Sequence, residues 1–279
     1  MQNYILYNTK DDTNSINECC YSLLKLLALY NLQSPESIHI IIYTQHPESF
    51  EAYIPFFHHF ELIGESTEKL SKIELLQKVL ELKEGNVLYM DTDTYLLQTP
   101  DELFEKLEIT EKILFFGKKG SPKKLKEYIG ANNLVYDGRE INLLDEKELY
   151  TAEILGFNHD AAAILPKAQE LFAQMKTGIS QKLAEAFTIT YATYNYSRET
   201  TEKEIASYRQ FPDFKKLLEV FFKKNQEESI PNLVKLVHHL DAATIEKEKL
   251  KYEGLPFFKK FLHSMTGKAW SLRRYQNKF

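Results

Sequence analysis

Short apolar runs alternate with longer amphipathic ones through the first half of the chain. Residues 4–7 and 38–44 have the length and composition of buried strands, the second being β-branched almost throughout. Residues 16–30, between them, carry a helical period, with Ser15 expected as N-cap and Glu18, three residues on, closing a capping box. Strand, helix, strand is the opening of a parallel sheet with a right-handed crossover. A third strand is expected at 60–63, a helix at 69–83 and a further strand at 87–90. Pro100-Asp101-Glu102 is a good start for a helix over 103–107, and residues 113–116 read as another buried strand.

Beyond residue 117 the pattern loosens into charge and turn residues. Asp137-Gly138 predicts a hairpin with arms at 134–136 and 140–142. Residues 151–157 and 161–165 flank the polar Asn158-His159-Asp160, helices are expected at 167–176 and 180–194, and the apolar run 230–240 ends in His238-His239-Leu240-Asp241. The tail from 254 to 279 has basic residues at Lys259, Lys260, Lys268, Arg273, Arg274 and Lys278 and no acidic ones, interleaved with Phe257, Phe258, Phe261, Leu262, Met265, Trp270, Leu272 and Tyr275. Two readings stand: a terminal helix packed on the sheet with solvated lysines, or a basic amphipathic segment lying on an anionic membrane surface. The expected division is one domain over 1–240 and a basic extension over 241–279.

Composition narrows the function classes. With 279 residues, 43% hydrophobic and 27% charged, the chain is an ordinary globular one. Thirty-five basic against 40 acidic residues, a net charge of −5, argue against nucleic acid as a partner, because phosphate neutralisation leaves a basic footprint. Cys19 and Cys20 are adjacent inside a helical run and read as small core side chains rather than a disulfide framework. The first residues lack the pattern of a secretory leader, and no run reaches about 18 apolar residues, so a cytoplasmic protein is expected.

The chemistry concentrates in Val87-Leu88-Tyr89-Met90-Asp91-Thr92-Asp93-Thr94. An apolar strand ends in two carboxylates two residues apart, at the sheet edge where open α/β folds bind ligands. Such a pair, half buried, repels itself, and a divalent cation would relieve it. The competing reading is a solvated turn. Neither an EF-hand loop, which needs Gly where Leu96 stands, nor a phosphate-binding Gly-x-x-x-x-Gly-Lys motif is present. A haloacid-dehalogenase-type phosphatase also ends a strand in Asp-x-Asp, but that motif wants Thr or Val where Tyr95 stands and usually opens its chain.

These residues, with Thr99-Pro100-Asp101-Glu102-Leu103-Phe104, resemble the nucleotide-sugar-binding half of the GT-A glycosyltransferases, in particular the glycogenin and bacterial galactosyltransferase groups. The resemblance is strongest over 70–107. It implies an α/β fold of GT-A (Rossmann-like) type, a mixed, mainly parallel sheet flanked by helices with a helical C-terminal extension. It also implies a metal-dependent glycosyltransferase that moves a sugar from a nucleotide-sugar donor, with a UDP-sugar foremost, to a glycan or glycolipid acceptor. Asp91 and Asp93 would hold Mn²⁺ or Mg²⁺, with His239 or His238 as a late third ligand and Lys72 turned toward the diphosphate. Tyr7, Asn8 and Thr9 would edge the base, and Gly156 would lie close to the sugars. A looser match sets His263, Gly267, Lys268 and Trp270 in place of the late histidine motif. If the enzyme inverts, Asp160 or Glu185 would be the base. The rival readings are a non-catalytic relative that keeps the fold and the phosphatase above.

Overall fold

The computed structural model describes residues 2–64, 70–109, 111–141, 148–175, 178–266 and 268–279. The strands run β1 (Gln2–Asn8), β2 (Ile38–Thr44), β3 (His59–Gly64), β4 (Gly85–Met90), β5 (Thr94–Leu96), β6 (Lys112–Phe115), β7 (Lys118–Gly120), β8 (Val135–Tyr136), β9 (Arg139–Glu140), β10 (Glu148–Tyr150), β11 (Ile154–Asn158), β12 (Ser197–Thr200) and β13 (Ile205–Ser207). Helices α1 (Thr13–Leu29), α2 (Lys72–Leu82), α3 (Asp101–Leu107), α4 (Lys123–Ala131), α5 (Leu165–Gln174), α6 (Gln181–Ala192), α7 (Pro212–Lys224), α8 (Ile230–Val237), α9 (Ala242–Glu253), α10 (Phe257–Met265) and α11 (Arg273–Gln276) accompany them.

Seven strands form the central sheet in the order β12-β6-β11-β4-β1-β2-β3. All are parallel except β11, which runs against both β4 and β6. This is the mixed, mainly parallel architecture that the resemblance implies. Side chains alternate along each strand and feed two cores. Ile5, Tyr7, Leu88 and Met90 pack with α1, α7 and α8, whereas Tyr4, Leu6, Val87 and Tyr89 pack with α2, α5 and α6. Cys19 and Cys20 are buried free thiols, and burial pushes the Cys20 thiol up to about 12.

The chain grows outward from β1 through β2 to β3, then returns to lay β4 on β1's other side. The reversal of direction between β1 and β4 is the topological switch point, where strand C-termini splay apart and leave a crevice. Gly85 opens β4 at φ +151°, where a Cβ would stand 2.2 Å from the Gln2 carbonyl oxygen, so β1 and β4 approach as closely as they do because the residue is glycine. The Asp137-Gly138 hairpin forms as expected, both residues having positive φ.

One local expectation changes. Helix α1 begins earlier than its apolar period, because Asp12 and not Ser15 caps it, accepting from the Ser15 backbone N–H at 2.8 Å. Glu18 is thereby free of capping. In the tail, Ala242 and Ile245 of α9 are buried, and Tyr275 and Phe279 return to the core beside α7, so much of the segment from 241 onward packs on the body. No described helix is long and apolar enough to cross a membrane.

Candidate active site

A cleft of about 640 Å³ opens at the switch point, lined from β1 and its following loop by Asn8, Thr9 and Lys10 and from β4 and the turn after it by Tyr89, Asp91, Thr92 and Asp93. Alternation along β4 decides where the acidic pair points. Tyr89 and Asp91 fall on the α2 side, and the next residue, Thr92, turns toward α1, donating its hydroxyl to Glu18 Oε2 at 3.0 Å. A tight turn follows, with the Thr94 N–H and hydroxyl both donating to the Asp91 carbonyl at 3.1 and 2.6 Å. The turn feeds β5, which pairs antiparallel with β13. That pairing, from more than a hundred residues downstream, delivers Tyr208 and Arg209 to the acidic pair, the Tyr208 N–H donating to the Asp93 carbonyl at 3.1 Å.

Three cations meet the carboxylates. Lys72, the first residue of α2, is held by the Ser71–Glu74 capping box and places Nζ 2.6 Å from Asp91 Oδ1 and 2.7 Å from the Ala152 carbonyl. Arg209 Nη1 is 3.1 Å from Asp91 Oδ2 and 3.5 Å from Glu153 Oε1. Lys215, in the first turn of α7, bridges Asp93 Oδ2 at 3.2 Å and Glu18 Oε1 at 2.7 Å. Burial works to lower the Lys215 ammonium pKa, but Glu18 and Asp93 outweigh it and the net direction is up. Glu18 goes up as well, burial exceeding the opposing pull of Lys215. The Tyr89 hydroxyl donates to Asp91 Oδ1 at 3.1 Å, and Asp93 Oδ1 is buried without a hydrogen-bond partner among the described residues.

Glu185, on the inward face of α6, forms the cleft's other wall. It is buried, accepts from Gln181 Nε2 at 2.9 Å, and has its carboxyl pKa raised, chiefly by burial, with the Lys72 charge opposing. Beside it Lys182 Nζ pairs with Glu153 Oε1 at 2.9 Å.

Of the residues singled out from sequence, Asn8, Thr9, Lys72, Asp91, Asp93 and Glu185 share this cleft. The others do not. Tyr7 is wholly buried, its hydroxyl within 2.9 Å of Ser22 Oγ and 3.7 Å from Met90 Sδ, because alternation turns it into the α1 core and, of β1, only its last residue, Asn8, reaches the cleft. Asp160 is exposed at the opposite sheet edge: β11 runs antiparallel to β4, so the residues after it emerge beside Asn86, at the far end from Asp91. Gly156 sits mid-strand in the same reversed strand, where a Cβ would meet Leu114 at 2.9 Å, so it serves packing and not a sugar. His238 and His239 are exposed past the end of α8 and line no part of the cleft. His263, Lys268 and Trp270 also lie elsewhere, on or after α10, and Gly267 is outside the described residues.

A divalent ion of this kind takes about six oxygen ligands. Both Asp91 oxygens are engaged by side-chain cations and one Asp93 oxygen by a third, leaving Asp93 Oδ1. Among the described residues no group of three or more His, Cys, Asp or Glu stands where it could hold a metal. The side chains present do not fit the Mn²⁺ or Mg²⁺ that the resemblance implies.

No protein-family model and no curated protein matches the chain. Solved structures similar to it include mouse xyloside xylosyltransferase 1 (12% identity, 71% of this chain and 84% of that one, TM-score 0.46). The galactosyltransferase LgtC, solved with donor and acceptor sugar analogues, is another (13%, 71% and 73%, 0.48). A third is the glycosyltransferase GlyE of Streptococcus pneumoniae TIGR4, at 12% identity and TM-score 0.46, where 81% of this chain matches half of that one. All three are glycosyltransferases. At these identities and TM-scores the likeness carries no argument about function, which rests on the cleft itself.

Proposed function

We propose that this chain is a glycosyltransferase that takes a sugar from a nucleoside-diphosphate sugar and passes it to a glycan or glycolipid acceptor. The observation that carries the reading is the convergence, at the switch point of the sheet, of the β1 edge at Asn8 and Thr9 with an Asp-x-Asp strand end and three basic side chains. A crevice of this kind suits a nucleotide, the base along the β1 edge and the phosphates over the strand ends.

In the proposed transfer the acceptor hydroxyl oxygen bonds to the anomeric carbon while that carbon's bond to the diphosphate oxygen breaks, the electron pair leaving with the diphosphate. Lys72, Arg209 and Lys215 face the charge that grows on the leaving group, and fixed cations aimed at developing charge are the main source of rate in such chemistry. Glu185 receives the hydroxyl proton. Its raised pKa suits a base working near neutral pH.

A membrane surface is the proposed place of the acceptor. Helix α10 presents Phe257, Phe258, Phe261, Leu262 and Met265 to solvent along one face, with Phe257 85% and Met265 71% exposed. Surface helices ordinarily turn that face inward. Six basic residues and no acidic ones between 254 and 279 select an anionic lipid surface as the cover.

A panel of nucleotide sugars incubated with the protein, with free nucleoside diphosphate as the readout, tests the reading. Release from one donor, faster with acceptor present, is expected; a folded protein that binds nucleotide and consumes none would be a non-catalytic relative.

A further inference from the structure

Two carboxylates at a strand end call for a counter-charge, and this chain supplies one from its own side chains. Lys72 and Arg209 flank Asp91, and Lys215 lies between Asp93 and Glu18. These contacts do not exhaust the cations. An ammonium has three N–H donors and a guanidinium five, and both carboxylate contacts of Arg209 run through Nη1. All three line the cleft, with Arg209 33% and Lys215 29% exposed.

Resting on the nucleotide-sugar reading of this cleft, we propose that Lys72, Arg209 and Lys215 grip the donor's diphosphate directly, so that the chain binds it without a divalent cation. Each basic group touches a carboxylate on one side and opens to the cleft on the other, the bridging place that a metal ion would fill. Asp91 and Asp93 are then positioning residues, which hold the cations in place before the donor arrives. The guanidinium fork suits phosphate oxygens in particular.

The alternative has a definite electrostatic cost. A divalent ion coordinated by Asp91 and Asp93 would displace the ion pairs and sit a few ångströms from three positive groups, a repulsion that is large in a partly buried site. Lys10 and Lys182, which also line the cleft, add to the positive charge available to a diphosphate.

Titration calorimetry of UDP, GDP, ADP and CDP into the full chain, once in EDTA and once with Mn²⁺, tests this. One of the nucleotides should bind in EDTA with an affinity that Mn²⁺ leaves unchanged. Arg209→Ala and Lys215→Ala should each weaken it about 10- to 100-fold, the effect of losing one charged hydrogen-bond donor. Arg209→Lys should recover part of the loss, which a purely structural role for Arg209 does not require. Where an alanine variant fails to fold, Lys215→Gln and Arg209→Gln keep polar bulk without charge and serve in its place. Binding that appears only with Mn²⁺ and vanishes in Asp93→Asn overturns the inference and leaves the nucleotide-sugar reading standing. So does EDTA-insensitive binding that none of the basic-residue variants weakens. Folded protein that binds none of the nucleotides under either condition overturns the nucleotide-sugar reading, and this inference with it.

Discussion

The guanidinium of Arg209 lies 3.1 Å from Asp91 Oδ2, across a separation of 118 residues. The pairing of β5 with β13 creates the contact, since it brings the segment after β13 over the end of β4. Asp91 is thus the joint anion of Arg209 and Lys72.

Removing that anion should cost stability as well as binding. In Asp91→Ala, Lys72 and Arg209 would face each other with their shared counter-charge gone, and the Tyr89 hydroxyl would lose an acceptor. Breaking a buried pair costs about 3–5 kcal/mol, and the partial exposure of Arg209 brings the expectation down to about 1–3 kcal/mol. Chemical denaturation of wild type and variant measures it; equal midpoints would mean that the pairs contribute nothing.

Glu185 should give a pH-dependent stability of defined sign. Its carboxyl pKa is raised on folding, so its contribution is full below the ordinary 4.5 and is lost as pH rises through the raised value. Glu185→Gln, neutral throughout, should therefore melt higher than wild type at neutral pH and at the same temperature at pH below about 4. The variant should also lose transfer while still binding nucleotide. A melting difference that does not depend on pH, or transfer at the wild-type rate, would remove Glu185 from the role of base.

The exposed face of α10 predicts a lipid preference. The protein should sediment with vesicles containing phosphatidylglycerol and less with phosphatidylcholine alone, and added salt should release it, since surface charge attraction is screened. Phe257→Asp with Met265→Asp should abolish sedimentation without changing the melting temperature, because both side chains are exposed. Unaltered sedimentation of the double variant would leave α10 without this role.

Gly85→Ala tests the close approach of β1 and β4. A Cβ at this φ, 2.2 Å from the Gln2 carbonyl, forces the strands apart, and we expect a loss of about 2 kcal/mol or more on unfolding. A variant as stable as wild type would mean that the strands can shift at no cost.

The parallel framework and the acidic pair were legible in the sequence for local reasons. Strand length, helical period and the abrupt end of an apolar run at Asp91 are all readable within a dozen residues. Asn8, Thr9 and Lys72 follow from the same framework, since each lies at the C-terminal edge of β1 or in the first turn of the helix before β4. Arg209 and Lys215 were not legible, because β13 is three residues long and its pairing with β5 is a long-range event. One weak signal existed: Lys215 stands in the first turn of α7, where the positive end of the helix disfavours a cation. Glu18 was misread because Ser15 and Glu18 have the spacing of a capping box, and the real cap, Asp12, sits one turn earlier. Asp160 failed for a different reason. Its candidacy came from the resemblance, and the antiparallel direction of β11, which carries it to the far end of the sheet, is not written in that strand's apolar pattern.

The most direct test of the nucleotide-sugar site is donor hydrolysis by wild type beside Arg209→Ala and Lys215→Ala, with nucleoside diphosphate quantified by chromatography. Wild type is expected to release it from at least one nucleotide sugar, and each variant, folded by its melting curve, about 10-fold or more slowly. Release at the same rate from all three proteins, or from none across the whole panel, would contradict that expectation.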